Sequence, residues 1–138
     1  MTIFNPLLGP VVALVAWTLV MLTWLAVARA PKMRGRAIPT GARGDDMEPG
    51  PHNWPAHNYT HLLEQPTLFY AIVLALVAMG DGAEINLILA WSYVGLRIVH
   101  SLWQSTVNVV KVRFLLFALS TLCLVGLTIH AAMRFIHG

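Results

Sequence analysis

Two histidines and a glutamate, His57, His61 and Glu64, stand at the entrance to an otherwise apolar segment. Arg97, His100 and Gln104 stand near the end of the next, and Arg113 opens a third. The first set falls at i, i+4 and i+7 and the second at i, i+3 and i+7, so each forms one stripe on a helix. Ionisable side chains inside membrane helices are costly and mark functional sites. Two stripes of opposite charge on adjacent helices would pair, Glu64 with Arg97, and line a cavity. The same pair also fits plain interhelical glue, and His57 also fits a place among lipid headgroups. His57, His61 and Glu64 have metal-ligand spacing too. A di-metal bundle needs a second such motif, and nearby arginines oppose a cation, so no metal is expected. The chain shows no Ser–His–Asp set, glycine-rich phosphate loop or CxxC. Its one cysteine, Cys123, rules out an intrachain disulfide and reads as an inert buried thiol.

The elements that must position these residues are apolar. Of 138 residues, 57% are hydrophobic and only 11% charged, less than half the roughly 25% charged residues of a soluble domain. A bilayer is therefore the expected solvent. Four segments, 10–27, 62–79, 84–103 and 114–136, each approach the ~20 residues that cross hydrocarbon. Lipid leaves no partner for a bare backbone, so all four are expected as helices. The first lacks the basic n-region of a signal peptide and is expected to be retained. Trp17, Trp24, Trp91, Trp103 and Tyr70 read as belt or packing residues. The fold class is all-α, a single four-helix membrane domain over 1–138.

The one long connection, 29–61, carries Arg29, Lys32, Arg34, Arg36 and Arg43, and the third–fourth connection adds Lys111 and Arg113. Basic residues collect on the cytoplasmic side. The long loop is therefore expected in the cytoplasm, with both termini in the periplasm or lumen. The chain's net charge of only +3, with its basic residues concentrated in that loop, signals topology rather than nucleic-acid binding. This orientation puts Glu64, Arg97, His100 and Arg113 at one depth, near the cytoplasmic face.

The stretches "HLLEQPTLFY" and "LRIVHSLWQSTVNVVKVRFLLFALS" resemble the MAPEG family, the membrane-associated proteins of eicosanoid and glutathione metabolism. The four-helix layout matches as well, and the similarity is greatest to short bacterial members. The resemblance implies a bacterial inner-membrane homotrimer with active sites between subunits, near the cytoplasmic face. There glutathione is the cosubstrate and an arginine stabilises its thiolate against a lipophilic substrate. Glu64 matches the family glutamate that holds the glutathione amino end, Arg97 and His100 match the third-helix pair, and Arg113 matches the thiolate-activating arginine. His61, His57 and Gln104 stand where eukaryotic members carry asparagine, arginine and tyrosine.

These expectations combine into one reading. Arg113 is the catalytic residue, and Glu64, Arg97, His61, His100, His57 and Gln104 hold the thiol donor in a transferase or peroxidase-like protein. The alternative is a non-enzymatic trimer that holds a lipid or small anionic ligand in the same cavity.

Overall fold

The computed structural model describes residues 4–33 and 54–138. Four helices follow in order: α1 Leu8–Met33, α2 Trp54–Ala78, α3 Glu84–Thr106 and α4 Val110–His137. All four are long and apolar enough to cross a membrane. The shortest, α3, has 23 residues, about 35 Å at 1.5 Å per residue, against a hydrocarbon core of about 30 Å. Every regular element among the described residues is helical, as an apolar solvent demands of a spanning backbone.

Three helix starts or ends differ by four residues or more from those read by hydropathy. α1 continues to Met33, α2 begins at Trp54 rather than Leu62, and α4 begins at Val110 rather than Phe114. The connection expected over 29–61 is therefore shorter at both ends. The residues 54–61 are too polar to count as a span, yet Pro55, Ala56 and Asn58 are buried, and tertiary cover keeps that segment helical. Pro55 lies in its first turn, where a missing N–H costs little. Arg34, Arg36 and Arg43, part of the topology signal, lie outside the described residues.

Short turns reverse the chain between neighbours. Between α2 and α3, Gly80 takes φ 69, a left-handed conformation that glycine adopts without Cβ strain. The Asp81 carboxylate then accepts from the Ala83 backbone N–H at 2.8 Å. Asn5 donates to the Asp81 carbonyl at 2.7 Å, which pins the chain's start to this turn. Between α3 and α4 the link is three residues, 107–109, and Asn108 takes φ 55.

The core is built from one stripe per helix. α1 inserts Leu14 and Met21, α2 Leu62, Phe69, Val73 and Leu76, α3 Ala90, Tyr93 and Val94, and α4 Leu124, Leu127 and Ala131. Leu7, Leu14 and Met21 repeat every seven residues, the period of helices that wrap with a left-handed twist. Trp17, Trp24 and Tyr70 pack against this core, while Trp91 is about half exposed. Large apolar side chains such as Phe114, Leu122, Ile129 and Phe135 remain uncovered, the face that lipid or another copy must cover.

Candidate functional site

The buried face of α2 runs through Asn58, Leu62, Pro66, Phe69, Val73 and Leu76, and that of α3 through Tyr93, Arg97, Ser101 and Gln104. Where these faces meet, the two helices pair rung by rung. Phe69 stacks on Tyr93 with ring centroids 4.4 Å apart. One turn on, the Gln65 side-chain oxygen accepts from Arg97 and, at 3.4 Å, from the Tyr93 hydroxyl. One turn further, the His61 and His100 rings lie edge to face, 6.5 Å apart. Each step of three or four residues along α2 is met by a step back of three or four along α3. Continued one turn, that register carries Asn58 to the depth of Gln104.

Arg97 is only 1% exposed and sits in the middle of this ladder. Its Nε donates to the Tyr93 hydroxyl at 3.2 Å, and its guanidinium carbon lies 5.5 Å from the Tyr93 ring centroid and 5.4 Å from that of Phe117. Cation–π contacts at this range strengthen as water is excluded. The Gln65 side-chain nitrogen donates to Thr121 Oγ1 on α4 at 2.7 Å, so one amide ties α2 to both neighbours. The charge pairing expected between Glu64 and Arg97 is not formed. Glu64 lies one residue further round α2, its side chain 62% exposed, and its carboxylate meets His61 Nδ1 at 3.2 Å. That is the only contact of this kind between an acidic and a basic side chain among the described residues.

At the loop end, α2, α3 and α4 enclose a cleft of about 150 Å³, lined by His61, His100, Val110, Arg113, Phe114 and Phe117. His61, His100 and Arg113 thus converge from three helices. Arg97 stands behind the cleft, against Phe117. Arg113 is held by the turn before it: its Nη1 donates to the Asn108 side-chain oxygen at 2.7 Å. Phe114 stands at the mouth, 70% exposed.

The remaining sequence candidates are placed elsewhere. His57 is exposed on α2, Glu64 is not part of the cleft's lining, and Gln104 is buried without a partner for its side-chain oxygen among the described residues. Asn58, Ser101 and Ser105 also keep buried, unpartnered polar atoms at this end. No group of three metal-ligand side chains occurs among the described residues.

Sequence reasoning passed over Gln65, Tyr93, Phe117 and Asn58. A signal for the first and last was present. The apolar positions 62, 66, 69, 73 and 76 mark the inward stripe of α2, and 58 and 65 lie on it at i−4 and i+3 from Leu62. His57 and Glu64 do not.

Residues 7–133 match the family model of the MAPEG family. The chain belongs to the MAPEG family. No characterised protein and no solved structure matches it. Four membrane-length helices and that membership make it a multi-pass integral membrane protein of the glutathione and eicosanoid metabolism family. The cleft brings Arg113 of α4 beside His100 of α3, and Glu64 lies outside its lining, in contact with His61.

Proposed function

We propose that this MAPEG protein is a membrane-bound, glutathione-dependent transferase or peroxidase-like enzyme acting on lipophilic electrophiles. The observation that carries this reading is the half-buried Arg113 guanidinium, fixed by Asn108 on the wall of a cleft that also holds Phe114 and Phe117. A free thiol has a pKa near ~8.5. A fixed guanidinium stabilises its anion and cannot itself lose a proton. Each tenfold gain in the thiolate equilibrium corresponds to about 1.4 kcal/mol of such stabilisation. The two phenylalanines supply an apolar seat, and the exposed Phe114 edge opens it toward the bilayer.

The residues present fit the sulfur end of glutathione and less than the whole tripeptide. The cleft's 150 Å³ is well below the roughly 300 Å³ at which pockets for drug-sized ligands begin. A homotrimer would complete it. In that assembly a neighbouring copy walls the open side, and the exposed Glu64 and His57 of α2 meet the thiol donor's amino and carboxylate ends. From α3, His100 lines the cleft and Arg97 backs it through Phe117, while Gln104 stays buried outside the lining. In the proposed orientation this end of the bundle faces the cytoplasm of a bacterial inner membrane and both termini the periplasm, a reading supported by the positive charge of Lys111 and Arg113.

A second reading is favoured by the exposed phenylalanine at the mouth. The same cleft would seat an acyl chain with its anionic headgroup on Arg113, in a non-enzymatic lipid-binding trimer.

The test is conjugation of glutathione to chlorodinitrobenzene by the purified protein in detergent, with glutathione binding measured by calorimetry. Wild type turns over, and Arg113→Ala loses at least tenfold in kcat with the fold intact. Absence of both thiol binding and turnover removes the transferase reading. A lipid that copurifies and is not displaced by glutathione then supports the second.

A further inference from the structure

A stabilised thiolate still requires that its proton go somewhere, and Arg113 cannot take it because guanidinium stays protonated. Two groups lining the cleft can: His61 and His100. Their surroundings differ. His100 is 5% exposed, three residues from Arg97 on α3, and shares the cleft wall with Arg113. A proton placed there would add a cation between the buried Arg97 and the half-buried Arg113. His61 is 42% exposed at its side chain, and its Nδ1 lies 3.2 Å from a Glu64 oxygen. A carboxylate at Nδ1 holds the proton on that nitrogen, as second partners of catalytic imidazoles do, and leaves Nε2 as the acceptor. The charged groups facing the His61 ring are Glu64 on its own helix, and His100 from α3 and Arg113 from α4 across the cleft. Glu64 is the one acid among these groups.

We infer that His61, oriented by Glu64, is the general base that removes the thiol proton in the cleft. This rests on the thiol-transferase reading above, but assigns His61 and Glu64 a part in the chemistry beyond positioning the thiol donor. The step balances simply. The S–H proton passes to His61 Nε2, leaving the electron pair on sulfur beside Arg113. The thiolate forms a C–S bond to the ring carbon of the aryl chloride, and the C–Cl bond breaks with its electron pair on chloride. The imidazolium returns its proton to water on the exposed side, past Glu64.

The experiment compares wild type, His61→Ala, His61→Gln and Glu64→Gln in glutathione–chlorodinitrobenzene conjugation, with and without added imidazole. General-base removal costs about 10²–10⁴-fold. Both His61 variants should keep glutathione binding and lose at least a hundredfold in kcat. Imidazole should restore the His61→Ala rate in proportion to its concentration and leave His61→Gln, whose side chain fills the space, much less changed. Glu64→Gln should lower kcat more than it raises the glutathione KM. A rise in KM alone, for either residue, would return both to simple ligand binding and overturn the assignment. Full activity in His61→Gln would overturn it too, while leaving the transferase reading standing. A wild type that binds no thiol and turns nothing over removes both.

Discussion

The Arg97 guanidinium ends on the Gln65 amide, one residue beyond the carboxylate that charge alone would select. A buried cation here is held by an amide, a phenol and two aromatic faces, with no carboxylate contact among the described residues. The acid is thereby kept at the surface, beside His61.

Gln65 is therefore a keystone of the interior. Gln65→Leu strips acceptors from a buried guanidinium and a partner from Thr121, and should cost about 1–3 kcal/mol, the penalty of unmade buried hydrogen bonds. Adding Arg97→Met to that variant should recover part of the loss, because no charge is then left unpaired. Unfolding titrations in mixed detergent measure both. Strictly additive losses would show that the two side chains are not coupled.

Asn58 makes the opposite case. Both polar atoms of its side chain are buried without a partner among the described residues. Asn58→Leu should raise stability by about 1–3 kcal/mol, since an unsatisfied amide is replaced by a side chain of similar size. A fall in the melting temperature would mean instead that water or a bound ligand satisfies that amide in the native protein.

Asn108 joins backbone shape to the cleft. Its φ of 55 suits glycine or asparagine, and its side chain anchors Arg113. Asn108→Val should cost about 1–2 kcal/mol, the strain of a left-handed branched residue. Asn108→Gly should keep the turn and the melting temperature but free Arg113. Its conjugation rate should fall several-fold, a separation that a stability assay and a rate assay read together.

Gly126 sets the approach of α4 to α3. A Cβ there would stand 3.2 Å from a terminal methyl of Leu89. That methyl is the end of a flexible side chain, so Gly126→Ala should be tolerated within about 1 kcal/mol, helped by the better helix propensity of alanine. Gly126→Leu cannot be absorbed in this way, and should destabilise by about 1–3 kcal/mol through overpacking. Thermal melts of the two variants distinguish a tight crossing from a loose one.

The proposed orientation is tested by single cysteines in a Cys123→Ser background. Arg134 and Lys111 are both exposed, near opposite ends of α4. Arg134→Cys should react with a membrane-impermeant maleimide added to spheroplasts, and Lys111→Cys only after lysis. The reverse pattern would place the cleft on the outer side.

Much of the architecture could be read from the chain because its causes are local. Apolar runs of membrane length exist before any tertiary contact, and lipid permits few forms other than helices for them. A gathering of ionisable groups near one end was readable in outline, since antiparallel helices with short turns bring the end of α3 beside the start of α4, but the expected set was Glu64, Arg97, His100 and Arg113, whereas the cleft is lined by His61, His100 and Arg113. The polar start of α2 was not, because hydropathy scores residues 54–61 as loop, and only their burial in the bundle makes them helix.

The facing of α2 marks the boundary between the two kinds of information. By itself, the sequence determined four spanning helices, one end rich in ionisable groups, and the residue types available for thiol chemistry. Only the tertiary structure decided that Gln65 turns inward and Glu64 outward. A one-residue step rotates a side chain by about 100° around the helix. Which side of that rotation is covered depends on where the Phe69–Tyr93 stack and the α4 contact lie, and those are properties of packed helices rather than of any one segment.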